Sequence, residues 1–299
     1  MESNFIYASE LRELVVVPET AKLLSPDGYF FQPMLDYRGE QVVFWGRQLG
    51  ENGFNIWRYD FHANSLRKLT ADRAVSGHPF WSNDGRQIVY FSTVGVSNAT
   101  EWFRHDQFQP HHAARNIWLM NSDGSQRTQL THGTHLDEHP CFSPDGKFVV
   151  FVSDRSGSMN LWRIAISTGE LDQLTTHASL DYRPIFSPTG DRLAFFSTNN
   201  PAHSHALCVM NWKTGSITFP IPDDVFAWVH GPYWLPDGKT LLLHGALAGQ
   251  SVCNLWFFHL PSRQLERLTI PEFSSTAHGS LSIPNHRLVY DSSEKLNNL

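Results

Sequence analysis

The chain lacks a long hydrophobic run and an excess of basic residues. No segment approaches ~18 uninterrupted apolar residues, so the sequence predicts no segment that spans a bilayer. The formal net charge of the 299 residues is −6. Nucleic acids and anionic membranes select basic surfaces, so we expect neither of them as a partner.

Cysteine is scarce, and no pair of cysteines has the spacing of a zinc site. The three cysteines, Cys141, Cys208 and Cys253, are dispersed in apolar, strand-like sequence. Their odd number and their flanks favour reduced, buried thiols. The N-terminus shows no basic region followed by an apolar stretch, as a signal peptide would. We therefore expect a cytoplasmic protein.

Several motifs of known chemistry are also missing. There is no Gly-x-Ser-x-Gly elbow and no phosphate-binding glycine loop, which gives no support to an α/β-hydrolase or a P-loop nucleotidase. The composition is 41% hydrophobic and 17% charged, as in a globular protein. It is rich in histidine and tryptophan, with 16 and 10 residues respectively.

One stretch recurs along the chain. A short apolar segment that contains proline leads into a tight turn, and an alternating apolar run follows. Proline and glycine in the turn and the aspartate between them favour a β-hairpin. The turn is clearest at Ser143-Pro144-Asp145-Gly146. Its other copies begin at Pro33, Pro79, Pro184, Pro232 and Gly279.

A second signature follows four of the hairpins at a variable distance. It is an Asn-Ile-Trp or Asn-Leu-Trp strand, and a short strand that ends in Leu-Thr comes after it. The first part begins at Asn55, Asn116, Asn160 and Asn254, and the second at Leu69, Leu130, Leu174 and Leu268. Each unit therefore predicts four short strands in about 45 residues, which is the period of a propeller blade.

Six hairpin signatures predict an all-β, six-bladed β-propeller with four antiparallel strands in each blade. The last repeat, 277–292, has no third and fourth strands after it. We expect the N-terminal strands in residues 4–17 to complete that blade, which would close the ring without an open edge. Residues 1–299 would then form a single domain.

The Ser-Pro-Asp-Gly hairpin, the Asn-Leu-Trp strand and the closing Leu-Thr, in this order, resemble the TolB-like (WD-like) propeller family. The resemblance covers nearly the whole chain. It implies that the first strand of each blade lines a central channel. The start of that strand and the longer loops would then lie at one mouth of the channel.

Histidines recur at equivalent places near that mouth. The residue at or just before the repeat's proline is His78, His139, Arg183, His230 or His278 in successive blades. Equivalent residues of a ring point toward one axis, so imidazoles that converge there predict a metal or acid–base site. Histidines that merely hydrogen-bond a neighbouring blade are the structural alternative.

A loop of about twenty residues in the second blade, Thr93 to Ala114, is long enough to be functional. Candidate substrate-binding residues in this loop and before the fourth blade are Trp102, Arg104, His105, His111, His112 and Asp181. Glu138, beside His139, is a candidate catalytic residue that could orient a histidine or accept a proton.

Blades two and three also show a more distant resemblance to oligogalacturonate lyases, which are propeller enzymes. The shared pattern is Gly77-His78-Pro79, then the segment 115–125, then Glu138-His139 before Phe142-Ser143-Pro144-Asp145-Gly146. The resemblance implies that His78 is a base and that His139 binds a divalent metal. The chain departs from that pattern at Tyr182-Arg183-Pro184, where the lyases carry His-x-His.

The sequence thus predicts a metal-assisted lyase or isomerase that acts on a small polar or anionic substrate such as a uronate-type sugar. His78 would be the base, and Arg183 would neutralise a carboxylate. The metal, manganese, zinc or nickel, would be held by His139, His230 and His278. The alternative is a non-catalytic propeller that binds a ligand or a protein partner.

Overall fold

A computed structural model describes residues 13–15, 28–95, 114–199, 205–222, 224–250, 254–269, 276–282 and 287–292. Every regular element in these residues is a β-strand, which confirms the predicted all-β class. No helix that could cross a membrane occurs in this part of the chain.

Five sheets of four consecutive strands follow one another along the chain, after a short strand β1 (Glu13–Val15). The first sheet contains β2 (Gly28–Leu35), β3 (Gln41–Gln48), β4 (Asn55–Asp60) and β5 (Ser65–Lys68). The second contains β6 (Ser76–Trp81), β7 (Gln87–Ser92), β8 (Asn116–Asn121) and β9 (Thr128–Gln129). The third contains β10 (Glu138–Phe142), β11 (Phe148–Ser153), β12 (Asn160–Ala165) and β13 (Leu171–Gln173).

The fourth sheet contains β14 (Asp181–Phe186), β15 (Arg192–Ser197), β16 (Ala206–Asn211) and β17 (Ile217–Thr218). The fifth contains β18 (Phe226–Trp234), β19 (Thr240–Leu247), β20 (Asn254–His259) and β21 (Gln264–Thr269). Within each sheet the four strands pair in chain order and antiparallel, as the repeat predicts. The last two strands, β22 (Thr276–Ser282) and β23 (Arg287–Ser292), form a separate two-stranded sheet.

The prediction of six four-stranded blades closed by the N-terminal strands is wrong. The described residues form five four-stranded sheets, and the sixth hairpin signature yields only the pair β22–β23. Strand β1 pairs in parallel with β21 of the fifth sheet instead of completing the last hairpin. The outer edge of β21 offers unpaired backbone groups, and β1 pairs with them there. Counting hairpin signatures therefore overestimates the number of complete blades.

The repeated turn has the structure that its residues predict. The hydroxyl of Ser143 donates to Asp145 Oδ1 at 2.7 Å, and the amide of Gly146 donates to the carbonyl of Ser143 at 2.8 Å. Asp84 in the second sheet accepts the same bond from Ser82. These bonds explain why serine and aspartate recur in the hairpin between the first two strands.

The closing Leu-Thr also has a structural explanation. The hydroxyl oxygen of its threonine accepts the backbone N–H of the residue that follows asparagine in the third strand. The distance is 2.9 Å from Ile56 to Thr70 and 2.9 Å from Leu161 to Thr175. The threonine therefore joins the end of the outer strand to the third strand of its own sheet.

Apolar side chains fill the spaces between neighbouring sheets. One buried cluster contains Cys141 and Val150 of the third sheet together with Leu193 and Cys208 of the fourth. Both cysteines are buried free thiols, as predicted, and burial raises the pKa of Cys141 well above its usual value. The third cysteine, Cys253, lies outside the described residues.

The first strands of the five sheets line a central channel, as the repeat predicts. Four side chains border both ends of the channel: Met34, Phe80, Ile185 and Tyr233. This apolar collar separates a mouth at the start of the strands from a second opening beside the hairpin turns.

Candidate functional site at the channel mouth

Five equivalent residues form a ring at the mouth, and each directly precedes a proline. Gln32, His78, His139 and Arg183 have φ angles of 52, 50, 52 and 54°. Gly231 occupies the same place in the fifth sheet with a φ of 61°. All five line the same cavity.

A β-bulge produces this conformation in each of the five first strands. The pairing register shifts between Gly77 and Phe80, for example, on either side of the His78-Pro79 pair. Proline has no N–H to donate, and the residue before a proline normally avoids the helical regions of φ and ψ. Left-handed backbone in a non-glycine residue at such a place is strained, and strain of this kind clusters at functional sites.

Among the described residues that line the mouth, Arg183 carries the permanent charge, and Glu138 lies beside the lining residue His139. Arg183 contributes a guanidinium, His78 and His139 contribute imidazoles, and no aspartate or glutamate is among the lining residues. Prolines and the apolar collar make up most of the remaining wall. The mouth therefore favours an anionic group, although the whole chain has a net charge of −6.

The two ring histidines are in contact. The imidazoles of His78 and His139 stack with their centroids 3.9 Å apart and their planes 19° from parallel. Trp45 and Phe91 meet the His78 ring edge-on at 5.5 and 5.1 Å. Residues of the first and second sheets thus hold the His78 ring against the third sheet.

Glu138 lies beside this pair. His78, Glu138 and His139 each offer one possible ligand atom, and the three atoms lie within 4.8 Å of one another. The Glu138 carboxylate also forms a buried ion pair with Arg115, which precedes β8 in the second sheet. Burial lowers the pKa of Arg115, and the charge of Glu138 opposes that effect.

The donors in this group suit a divalent metal, but the ring orientations restrict how it can bind. Imidazole nitrogen and carboxylate oxygen are ordinary ligands of manganese, zinc and nickel. An imidazole lone pair lies in the plane of its ring, and two nearly parallel stacked rings cannot both direct a lone pair at one ion. The geometry therefore suits a cation held by Glu138 and His139, with His78 stacked beside them as a separate group.

A second group of aromatic rings lies on the other side of Arg183. His230 is at its centre, 5.4 Å from Tyr182, 5.2 Å from His205 and 5.5 Å from Trp228 between ring centroids. His230 also stacks on His244 at 5.6 Å and 19°. These five residues form the aromatic group.

Burial changes the proton affinity of two members of the aromatic group. It lowers the pKa of His205, so this imidazole is more often neutral than an exposed one. It raises the pKa of Tyr182, and the nearby charge of Arg183 opposes the change. Both effects favour uncharged rings beside the guanidinium of Arg183.

The structure brings together some of the predicted site residues. His78, His139 and Arg183 line the mouth, and Glu138 joins the two histidines. His230 precedes the ring position, which Gly231 occupies, and lies in the aromatic group. Among the described side chains His139 lies with His78 and Glu138, and the predicted metal set of His139, His230 and His278 stays a prediction because the His278 side chain lies outside them.

Asp181 does not line the mouth. It is buried at the start of β14, where its Oδ2 accepts the hydroxyl of Thr175 at 2.6 Å and lies 3.3 Å from His177 Nε2. Burial raises its pKa. These contacts connect the third and fourth sheets, and they favour a structural role over the predicted substrate contact.

The side chains of six other predicted residues lie outside the described part of the structure. Trp102, Arg104, His105, His111 and His112 lie outside the described residues. For His278 the backbone is described within β22, where the pairing register shifts between Ala277 and Gly279. Their roles stay predictions.

Four further residues were not predicted as site residues: Gln32 lines the mouth, Arg115 pairs with Glu138, and Trp228 and His244 contact His230. Gln32 could have been found, because it directly precedes the proline of the first repeat. Its Oε1 accepts the indole N–H of Trp45 at 2.9 Å. His244 is in the middle of β19, where the surrounding leucines read as an ordinary buried strand.

Comparison with known proteins identifies the type of propeller. Residues 109–221 match the family described as the TolB beta propeller domain. A TolB homologue of Chlorobium luteolum is 27% identical over 145 residues, which is 40% of this chain and 33% of that protein. The chain thus matches about a third of the length of that curated relative.

Two solved structures have a similar fold. TolB from Acinetobacter baumannii superposes with a TM-score of 0.68 at 17% identity, over 85% of this chain and 57% of the other. An oligogalacturonate lyase in complex with manganese superposes with a TM-score of 0.58 at 14% identity, over 91% and 89%. The chain therefore resembles TolB propellers, with a more distant likeness in fold to oligogalacturonate lyases, as predicted.

Proposed function

We propose that this TolB-like propeller binds a small carboxylate-bearing molecule at its channel mouth and removes a proton from it with the help of a divalent cation. The reaction class would be elimination or isomerisation. The observation that supports the proposal most directly is the convergence of His78, Glu138 and His139, whose ligand atoms lie within 4.8 Å of one another. A uronate-type saccharide is one substrate of this class.

His78 is the proposed base. Its ring is held between Trp45, Phe91 and His139, so its orientation is defined before a ligand arrives. It would take the proton from the carbon next to the carboxylate. In an elimination, the electrons of that C–H bond form a double bond as a leaving group departs from the neighbouring carbon.

Glu138 and His139 are the proposed cation ligands. They are adjacent in sequence, and the bulge in β10 brings ligand atoms of both within reach of one point. A bound divalent cation would act as a Lewis acid toward the substrate's carboxyl group. Support for a metal also comes from the similar lyase structure, which is described as a manganese complex.

Arg183 is the proposed carboxylate-binding residue. Its guanidinium lines the same cavity as the two histidines, and a guanidinium can bind a carboxylate through two parallel hydrogen bonds. Binding there would place the carbon next to the carboxylate toward His78.

Proton abstraction can be tested without knowledge of the substrate. The purified protein would be incubated in D2O with Mn²⁺ and a panel of small carboxylic acids and uronate oligosaccharides. NMR would detect deuterium at the carbon next to the carboxylate, or alkene protons in an unsaturated product. We expect His78→Gln to abolish either signal and Arg183→Met to raise the substrate concentration required.

The control is His62→Gln. His62 is an exposed histidine in the turn after β4 and does not line the mouth. It should leave the signal unchanged. A signal that survives in His78→Gln would contradict the proposed base. Binding of panel members without exchange or product would favour a non-catalytic ligand-binding propeller.

A further inference from the structure

We infer that His244 is a ligand-binding residue that faces the acidic group of a ligand beside the guanidinium of Arg183, and that Gly231 leaves the space in which this group binds. This inference rests on the proposed carboxylate-binding role of Arg183. It concerns two residues, one in the centre of β19 and one in the ring at the mouth.

His244 stands where the other sheets have an apolar side chain. In β19 it pairs with His230, and the corresponding pairs in the other sheets place four apolar residues at its position. These residues are Trp45, Phe91, Val152 and Phe196. The His244 side chain is only 2% exposed. A polar ring at a buried position where an apolar one fits costs stability, which indicates a purpose other than packing.

The backbone conformation of Gly231 favours glycine, and the closeness of His244 is a further reason for the missing side chain. Its φ of 61° is close to the values of 50 to 54° that Gln32, His78, His139 and Arg183 adopt at the same place. A side chain is therefore compatible with that backbone. A Cβ on Gly231 would, however, lie 2.6 Å from His244 Nδ1 and 2.9 Å from its Cε1.

The same small space borders the guanidinium. The Cβ position of Gly231 is 3.6 Å from Arg183 Nη1, so His244 and Arg183 both reach the gap that the missing side chain leaves in the ring. Gly231 and Arg183 line the mouth cavity. An acidic group that enters the gap would thus meet the guanidinium directly.

The neighbouring rings fix the orientation of His244 at the edge of this gap. It stacks on His230 at 5.6 Å between centroids, and Trp228 meets it edge-on at 5.9 Å. An imidazole can also hydrogen-bond, whereas the phenyl ring found at equivalent places cannot. Phenylalanine at position 244 would keep the packing and remove the ring nitrogen that faces the gap.

The test uses acetate as the carboxylate probe and NMR to follow the side-chain Nε–H signal of Arg183. In His244→Phe we expect the dissociation constant for acetate to rise about tenfold, as for the loss of one polar contact to a charged group. His244→Asn should restore most of the affinity, because its amide can occupy the place of Nδ1. The free energy of unfolding of His244→Phe should equal or exceed that of the original protein.

Several outcomes would overturn the inference. Wild-type acetate affinity in His244→Phe, or an equal loss in His244→Asn, would show that the polar atom has no role. Acetate binding that persists in Arg183→Met would place the anion elsewhere. If His244→Phe failed to fold, Gly231→Ala and Gly231→Ala/His244→Ala would decide the matter, and equal stability of these two variants would contradict the crowding argument.

This experiment is separable from the test of the proposed reaction. Mn²⁺ titration of His244→Phe reports on Glu138 and His139, which are outside the aromatic group. An acetate pattern as expected together with no metal binding would support the anion site and reject the metal-assisted reaction. Normal Mn²⁺ binding together with wild-type acetate affinity in His244→Phe would support the metal site and reject the inference about His244.

Discussion

The imidazoles of His78 and His139 lie face to face, 3.9 Å apart, although they belong to neighbouring sheets. Both residues have left-handed backbone and both precede a proline. Because the rings are stacked, the lone pairs in their planes point to different places and not to one ion. The pair is therefore suited to divided roles, in which one ring binds a cation while the other exchanges a proton.

The left-handed backbone of the ring predicts an unusual effect of glycine. Replacing His139 by glycine should give a protein that is more stable than His139→Ala by about 1–2 kcal/mol, because a Cβ is costly in this region of φ and ψ. Denaturant unfolding of the two variants measures the difference.

The matched control is Leu171, an exposed residue of the outer strand β13. In an ordinary strand, glycine lowers protein stability by roughly 0.5–1 kcal/mol relative to alanine. Leu171→Gly should therefore be less stable than Leu171→Ala. The same order of stability at both positions would contradict the proposed strain.

A second prediction concerns a buried ion pair behind the mouth. Arg155 donates to both carboxylate oxygens of Asp137, at 2.8 and 2.7 Å, and the two side chains are 10% and 0% exposed. Arg155→Met should cost about 3–5 kcal/mol of unfolding free energy, because it leaves a buried charge without its partner. Arg163 pairs with Asp172 on the surface, so Arg163→Met should cost about 0–1 kcal/mol. Equal costs would show that burial of the pair is unimportant.

The hairpin turns predict how stability depends on pH. Hydrogen bonds from Ser82, Ser143 and Thr189 lower the pKa of Asp84, Asp145 and Asp191 below the ordinary value of 3.8. This stabilisation is fully present above the unfolded pKa of 3.8, and it is lost as the pH falls through the lower folded values.

Replacing one of these aspartates by asparagine should therefore reduce the pH dependence of the free energy of unfolding. The free energy of unfolding of Asp145→Asn, measured between about pH 2 and pH 6, should fall less on acidification than that of the original protein. Each aspartate is substantially exposed, so the effect of one substitution should be small. An unchanged slope in Asp145→Asn would remove this residue from the explanation.

The ion pair between Arg115 and Glu138 predicts competition with a cation. Arg115→Gln should bind Mn²⁺ several-fold more tightly, because Glu138 would no longer be engaged by the guanidinium. Calorimetric titration measures the affinity, and denaturant unfolding shows whether the variant remains folded. Arg127→Gln, which removes a surface pair with Asp72, is the control. Unchanged or weaker Mn²⁺ binding in Arg115→Gln would contradict a role for Glu138 as a ligand.

The repeats in the sequence predicted much of the fold because their residues have local structural roles. Ser143 and Asp145 form the hairpin turn, and Thr175 accepts a hydrogen bond from a backbone N–H of its own sheet. The number of complete blades could not be predicted in this way. Hairpin signatures do not report whether third and fourth strands follow, and β1 pairs with an edge in another sheet.

The site was predicted where position in the repeat determined it. His78, His139 and Arg183 precede the repeat's proline, and the ring places them at the mouth. His230 lies one residue before the ring, as its position in the repeat predicts, and Gly231 occupies the equivalent place. His244 gave no signal in the sequence, since its importance depends on the close approach of Gly231 from the neighbouring strand.

The most direct test of the central claim is a Mn²⁺ titration of the purified protein by calorimetry, repeated with His139→Ala, Glu138→Gln and the control His62→Gln. The proposed site predicts one bound ion per chain, lost in the first two variants and retained in the control. Absence of binding, or binding that is unaffected by His139→Ala and Glu138→Gln, would contradict a metal site at the channel mouth.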